Sequence, residues 1–338
     1  LTFLEIPNVH AMQQGYSALV AACCAGEDDP SWLLNLHNSR WLEYVGSLLK
    51  GASDVAAYLE AGDPVLVHCS DGWDRTSQLV SLAQLLIDPF YRTIEGFEVL
   101  VSKDWCGFGH RFAARGGHGA DPTGETAPIF LQFLDATYQL LRQFPDAFEF
   151  SEELLLLLLH TYHSRWFNDF LHDSEYERVL AYARSTAAGR SGGGTTSVWS
   201  HVRCCKERYR NVLWTGIEMG GGTFQHPSVG QAPAGGSTDG AFAIIESADV
   251  PGRGAVLASD IRDRRASAGG VGREGCRGGG GKDGVYGNEA GDDEIRRFGG
   301  WRRGGPRTAL LYPPLWPACG VRSLGLWHRA YTSRGLEV

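Results

Sequence analysis

Cys69 and Arg75 stand six positions apart in His68-Cys69-Ser70-Asp71-Gly72-Trp73-Asp74-Arg75-Thr76, a spacing that suits a phosphate-binding loop with a sulfur nucleophile. A loop of this length curls so that its backbone N–H groups converge on one point, and a helix that follows adds its positive end. The same field favours a thiolate over a thiol, so Cys69 is expected to ionise below its reference value of about 8.5. Arg75 has the fork geometry to hold two oxygens of a phosphoryl group and to stabilise charge in the transition state. The chemistry such a loop performs has two steps. The thiolate attacks phosphorus and an alkoxide leaves, then water hydrolyses the phosphocysteine. A Cys-x5-Arg pattern is common by chance, and it gains weight only from the elements on either side of it.

Those elements are legible. Pro64 to His68 is a short β-rich apolar run that reads as a buried strand. Leu79, Val80, Leu82, Ala83, Leu85, Leu86 and Ile87 form the apolar face of a helix that stops before Asp88-Pro89. Upstream, Trp41, Val45, Leu48, Leu49, Ala52, Val55, Ala56 and Leu59 recur at helical intervals and are closed by Gly62-Asp63-Pro64. A helix pair is predicted over Ile129 to Gln143 and Ser151 to Phe170, with Ser151 as N-cap ahead of Glu152 and Glu153. Helices and strands mixed in this way imply an α/β domain.

With the loop in this setting, Val67 to Thr76 resembles the active-site signature of the myotubularins, because ordinary tyrosine phosphatases do not place two aspartates and a tryptophan between Cys and Arg. Asp88-Pro89-Phe90-Tyr91-Arg92-Thr93-Ile94-Glu95-Gly96-Phe97, Phe108-Gly109-His110-Arg111-Phe112, Phe130-Leu131-Gln132-Phe133-Leu134 and Arg142-Gln143-Phe144-Pro145 are similar to that family too. The likeness runs from about Phe3 to about Trp199 and resumes at Leu311-Tyr312-Pro313 and Leu326-Trp327. It implies a protein-tyrosine-phosphatase-like central mixed sheet flanked by helices. It also implies hydrolysis of the 3-phosphate of phosphatidylinositol 3-phosphate and its 3,5-bisphosphate, with no metal and no cofactor.

The resemblance gives Asp74 the role of proton donor to the leaving oxygen, with Asp71 as a second candidate and pairing with Arg75 or helix capping as the plainer role for Asp74. Thr76 is placed either to donate its hydroxyl to the Cys69 sulfur or simply to begin the helix. Arg111 and Arg115, four apart, would share one helical face and grip a headgroup phosphate. The resemblance carries substrate contact onto them, onto Asn8 and Val9, and onto Ser70, Asp71, Gly72, Trp73, Asp74 and Arg75 in the loop. His68 is expected to support the loop by hydrogen bonding, whereas His110, His118 and Cys106 lack metal-ligand spacing and are assigned no chemistry. The partners implied are a phosphoinositide headgroup in a membrane and, in homo- or hetero-oligomers, other myotubularins. The implied place is the cytoplasm, peripheral at endosomal-type membranes.

Composition sets the outer bounds. The chain has 338 residues, 43% of them apolar, and 31 basic against 39 acidic residues leave a formal charge of −8, so any anion must be held locally and nucleic acid is not indicated. Eight cysteines without framework spacing suggest reduced thiols. The longest apolar run, Leu154 to Leu159, is far short of the roughly 20 residues a membrane helix needs. Between Gly216 and Gly305 lie 25 of the 45 glycines, and this stretch is expected to be disordered. The organisation read from this is a partial phosphatase domain over 1–212, a glycine-rich insert over 213–307 and a return of the catalytic domain over 308–338. The start at Leu1 is expected to mark a fragment that lacks the family's lipid-binding domain and first strands. Two rival assignments use the same residues. A protein phosphatase would need Cys69 and Arg75 but not the Arg111 and Arg115 pair, and a non-catalytic adaptor would need none of the loop chemistry.

Overall fold

The residue patterns above take shape in a computed structural model that describes residues 1–118, 125–187, 196–216, 243–246 and 314–331. These belong to one unit, Leu1–Asp249 with Tyr312–Val338, while Leu311-Tyr312-Pro313 and most of the glycine-rich stretch lie outside the described residues. The chain opens with β1 (Thr2–Phe3), α1 (Val9–Ala25), α2 (Trp32–Asn38) and α3 (Trp41–Glu60), the last covering the predicted 41–59 helix. Then come β2 (Val65–His68), the Cys69–Asp74 loop and α4 (Arg75–Ile87). Beyond it are α5 (Ile94–Val101), a π-helical turn over Ser102–Gly107, α6 (Phe112–Arg115), α7 (Ile129–Gln143) and α8 (Glu152–Ser164).

Among the described residues the fold is mostly helical with little sheet, and a central mixed sheet is not seen. Three strands of two, four and four residues lie parallel in the order β1-β3-β2. The middle one, β3 (Ala243–Glu246), comes from inside the glycine-rich stretch. Its Ala-Ile-Ile-Glu sequence sets two β-branched residues side by side, which favours a strand. The strand β2 is not buried throughout, as its run of apolar residues predicts. Val65 and Val67 pack on Val55 and Ala83 of α3 and α4, but Leu66 on the other face is 55% exposed.

The core lies behind the loop. Leu79, Leu82, Leu85 and Leu86 of α4 are buried against α3 and α7. The Gln78 side-chain amide donates to the Ile129 carbonyl and to Gln132, each at 2.9 Å, which fixes α4 against α7 by hydrogen bonds a slipped helix would lose. Gly96 allows the chain to turn into α5 over the preceding loop, since a Cβ there would sit 1.8 Å from the Phe90 carbonyl oxygen. The helix α8 ends six residues before the predicted Phe170, at Arg165 with φ of 60°. Phe170 then enters a separate turn that packs its ring 4.9 Å from Phe112 and 5.1 Å from Phe130. Ser151 precedes α8, but its hydroxyl makes no capping bond.

Residues 314–331 close the unit. Trp327 is fully buried and donates to Glu152 at 2.8 Å. Gln139 pairs in both directions with the backbone of Gly325, at 2.7 and 3.0 Å. The Tyr331 hydroxyl and the Trp41 indole both donate to the buried Asp135 carboxyl.

Candidate active site

The strand β2 delivers Cys69 to the loop, and α4 begins at Arg75 immediately after it. The turn between them needs a left-handed residue, which Gly72 supplies at φ of 93°. The Gly72 amide donates to the Cys69 sulfur at 3.2 Å, and the Thr76 hydroxyl donates to it at 3.2 Å from the first turn of α4. Burial pushes the thiol up. The Thr76 hydroxyl and then the amides of Gly72, Thr76 and Asp71 outweigh it, so its pKa is lowered overall. Thr76 is therefore both an early helical residue and a sulfur donor.

Arg75 is buried. Its guanidinium donates to the Ile6 carbonyl at 3.3 Å and to the Ser70 hydroxyl at 3.4 Å, which ties the loop to the segment ahead of α1. Asp74, 6% exposed, forms an ion pair with Arg115. The Arg115 Nε lies 3.2 and 3.1 Å from its two oxygens, and Nη2 lies at 2.7 Å. His110 approaches the same carboxylate at 3.1 Å. Burial pushes the Asp74 carboxyl up, but the hydrogen bond and charge of His110 and those of Arg115 overcome this and hold it at about 2. Asp74 in this arrangement is a carboxylate.

A family model for the myotubularin-like phosphatase domain matches residues 1–179, just over half of the 338. The chain belongs to the myotubularin-like phosphatase family. It is 42% identical over 218 residues to the mouse phosphatidylinositol-3,5-bisphosphate 3-phosphatase MTMR4, covering 63% of this chain and 18% of that protein. It is 42% identical over 217 residues to the Caenorhabditis elegans phosphatidylinositol-3,5-bisphosphate 3-phosphatase mtm-1, covering 63% and 36%. The human MTMR4 is 41% identical over 220 residues, covering 64% and 18%. The chain thus spans between 18% and 36% of the length of these relatives.

Within this myotubularin-like domain the predicted residues fall into three places. Cys69, Ser70, Asp71, Gly72, Trp73, Asp74 and Arg75 form the loop itself, with Ser70 and Asp71 exposed. Arg111 and Arg115 both reach the loop but do not share a helical face, because α6 is a single turn and Arg111 precedes it. Arg111 is 44% exposed, with its guanidinium 6.0 Å from the Trp73 ring and 3.9 Å from the Asp173 carboxylate. Arg115 is buried on Asp74 and also donates to the Glu125 carbonyl at 2.8 Å. Asn8 and Val9 lie at the start of α1. Asn8 caps α1 by accepting from the Ala11 amide at 3.0 Å, Val9 packs against the core, and it is Ile6 that touches the loop through Arg75. His68 is half-buried, with Nδ1 3.3 Å from the Cys69 carbonyl. His110, given no chemistry by its spacing, proves to touch Asp74. Only the fold brings together residues 36 positions apart, and no local pattern announces it.

Proposed function

We propose that this chain is the catalytic part of a phosphoinositide 3-phosphatase that releases the 3-phosphate of phosphatidylinositol 3-phosphate and of the 3,5-bisphosphate through a phosphocysteine. The observation that carries it is the Cys69 sulfur, which receives an amide and a hydroxyl at 3.2 Å in a loop that opens a 13-residue helix. Family membership and the names of the relatives support the choice of lipid. The finer fold follows the same support: a protein-tyrosine-phosphatase-like mixed sheet, with the phosphatase domain over 1–212, an insert over 213–307 and a return over 308–338.

In this mechanism Cys69 attacks phosphorus while Arg75 and the loop amides of Ser70 to Trp73 hold the equatorial oxygens. The bond from phosphorus to the inositol oxygen breaks, and Asp74 gives that oxygen its proton. Water then attacks the phosphocysteine, Asp74 takes the proton, and inorganic phosphate leaves with the thiolate restored. A carboxylate paired to Arg115 has no proton to give. The donor step therefore needs Arg115 to turn toward a phosphate of the bound substrate, the transferred phosphoryl group included, which competes for the same guanidinium. Asp71 is exposed and is the second candidate for the donor. Arg111 at the mouth, Asn8 and Val9 complete the headgroup contacts, and the enzyme works peripherally at endosomal-type membranes, alone or with other myotubularins.

Phosphate release from short-chain 3-phosphoinositides tests this. Cys69→Ser is expected to abolish release, and Arg111→Ala to raise KM about tenfold through one lost charge-assisted contact. Release by Cys69→Ser at the wild-type rate, or hydrolysis of a phosphotyrosine peptide in preference to the lipid, would refute the assignment.

A further inference from the structure

The mechanism gives no role to His110, a buried side chain in contact with Asp74. His110 is 1% exposed and sits between the rings of Trp105 and Phe112, edge-on to both at centroid distances of 4.8 and 4.7 Å. Its Nδ1 lies 2.9 Å from the Trp73 carbonyl oxygen and 3.1 Å from Asp74 Oδ1. Both neighbours are acceptors only, so Nδ1 carries the proton and divides it between them. Nε2 is buried with no hydrogen-bond partner, so the ring is held by this one donor and by its aromatic walls. Trp105 is in turn fixed to α4 by a 3.0 Å bond from its indole to Ser81. The brace therefore runs from α4 through Trp105 and His110 back to the two loop residues that precede α4.

Arg115 and His110 hold the same carboxylate in different ways. Arg115 is a cation with a second claimant in the phosphoryl group of any bound ester, and it must release Asp74 before a proton can reside there. His110 is walled off from the mouth and has no such alternative.

The geometry points to His110 as a positioning residue of the phosphatase reaction: its shared Nδ1–H keeps the Asp74 carboxyl aimed at the leaving oxygen after Arg115 has let go. This inference rests on the function proposed above. His110 touches neither substrate nor sulfur, and it acts only through Asp74 and the Trp73 carbonyl. A histidine serving the fold alone would support attack on every phosphate ester equally. One that orients the proton donor matters only when the leaving group needs a proton.

Aryl phosphates of graded leaving-group basicity, assayed with the full chain, separate these roles without recourse to lipid. With p-nitrophenyl phosphate, whose leaving group departs unaided, His110→Phe is expected to retain kcat within about threefold, whereas with phenyl phosphate it loses about 100-fold, the lower range for a general acid. His110→Asn, whose side-chain amide N–H replaces Nδ1–H, is expected to recover most of that loss. In an Asp74→Asn background His110→Phe is expected to cost nothing further, because the residue acts through Asp74. Equal losses on all esters, no loss on phenyl phosphate, or additive losses in the double variant would each overturn the inference. A wild type that cleaves aryl phosphates but not 3-phosphoinositides would refute the lipid assignment alone. One inert to every ester would overturn both.

Discussion

The Cys69 sulfur is exposed to two opposed influences, burial that favours the thiol and donated hydrogen bonds that favour the thiolate, and the bonds prevail. The hydroxyl of Thr76 is the largest of those bonds, so Thr76→Ala should shift the balance back. The loss of one hydrogen bond to a charged group is worth about 1.5 kcal/mol, so alkylation by iodoacetamide at pH 6 should slow about tenfold, with the pH-rate curve displaced to higher pH. Asp74 offers a second test. Its folded-state value of about 2 lies below that of an unfolded aspartate. The stability it contributes is therefore complete above the unfolded value and is lost as pH falls through the folded one. That amounts to about 2 kcal/mol, lost between roughly pH 5 and pH 2. Urea unfolding across that window should show a steeper acid limb in the wild type than in Asp74→Asn. The strand-loop-helix turn that holds Cys69, Arg75 and the two aspartates is legible in the sequence, because a loop of this kind is built from consecutive residues. The clamp of His110 and Arg115 on Asp74 is not, since spacing along the chain does not encode which distant side chain arrives at a carboxylate.

At the scale of elements, α3, α4 and α7 are legible because each has a sustained apolar stripe and a breaker at one end, as Gly62-Asp63-Pro64 and Asp88-Pro89 show. The strand β2 is legible as a strand but not in its burial, because an apolar run does not reveal that one of its two faces stays open at Leu66. The end of α8 misled for a related reason. Trp166, Phe167 and Phe170 continue an apolar pattern past Arg165, yet the chain uses them in a turn that seats Phe170 among Phe112 and Phe130. The join between the α4 and α5 layers rests on Gly96. Gly96→Ala forces a methyl group onto the Phe90 carbonyl and is expected to cost about 3 kcal/mol, the upper range for overpacking. The urea midpoint measures this, and an unchanged midpoint would show that the 3-10 turn over Pro89–Arg92 yields freely.

For the whole molecule, the return of residues 314–331 joins parts of the sequence that nothing local connects. Trp327 stacks on Tyr138 at 5.0 Å and is fully buried, so Trp327→Ala should cost about 3 to 5 kcal/mol and lower the melting temperature by several degrees. Circular dichroism on heating would record it. A silent Trp327→Ala would mean that the segment rides on the domain without supporting it. The partnership of Tyr331 with Asp135 spans 196 positions. At synthesis rates of about 5 to 20 residues per second, Asp135 waits on the order of ten to forty seconds on the ribosome before Tyr331 exists. Until then the acid in the middle of α7 lacks one of its donors and the groove that receives Trp327 is bare, so the nascent chain should be a client for chaperones late in translation.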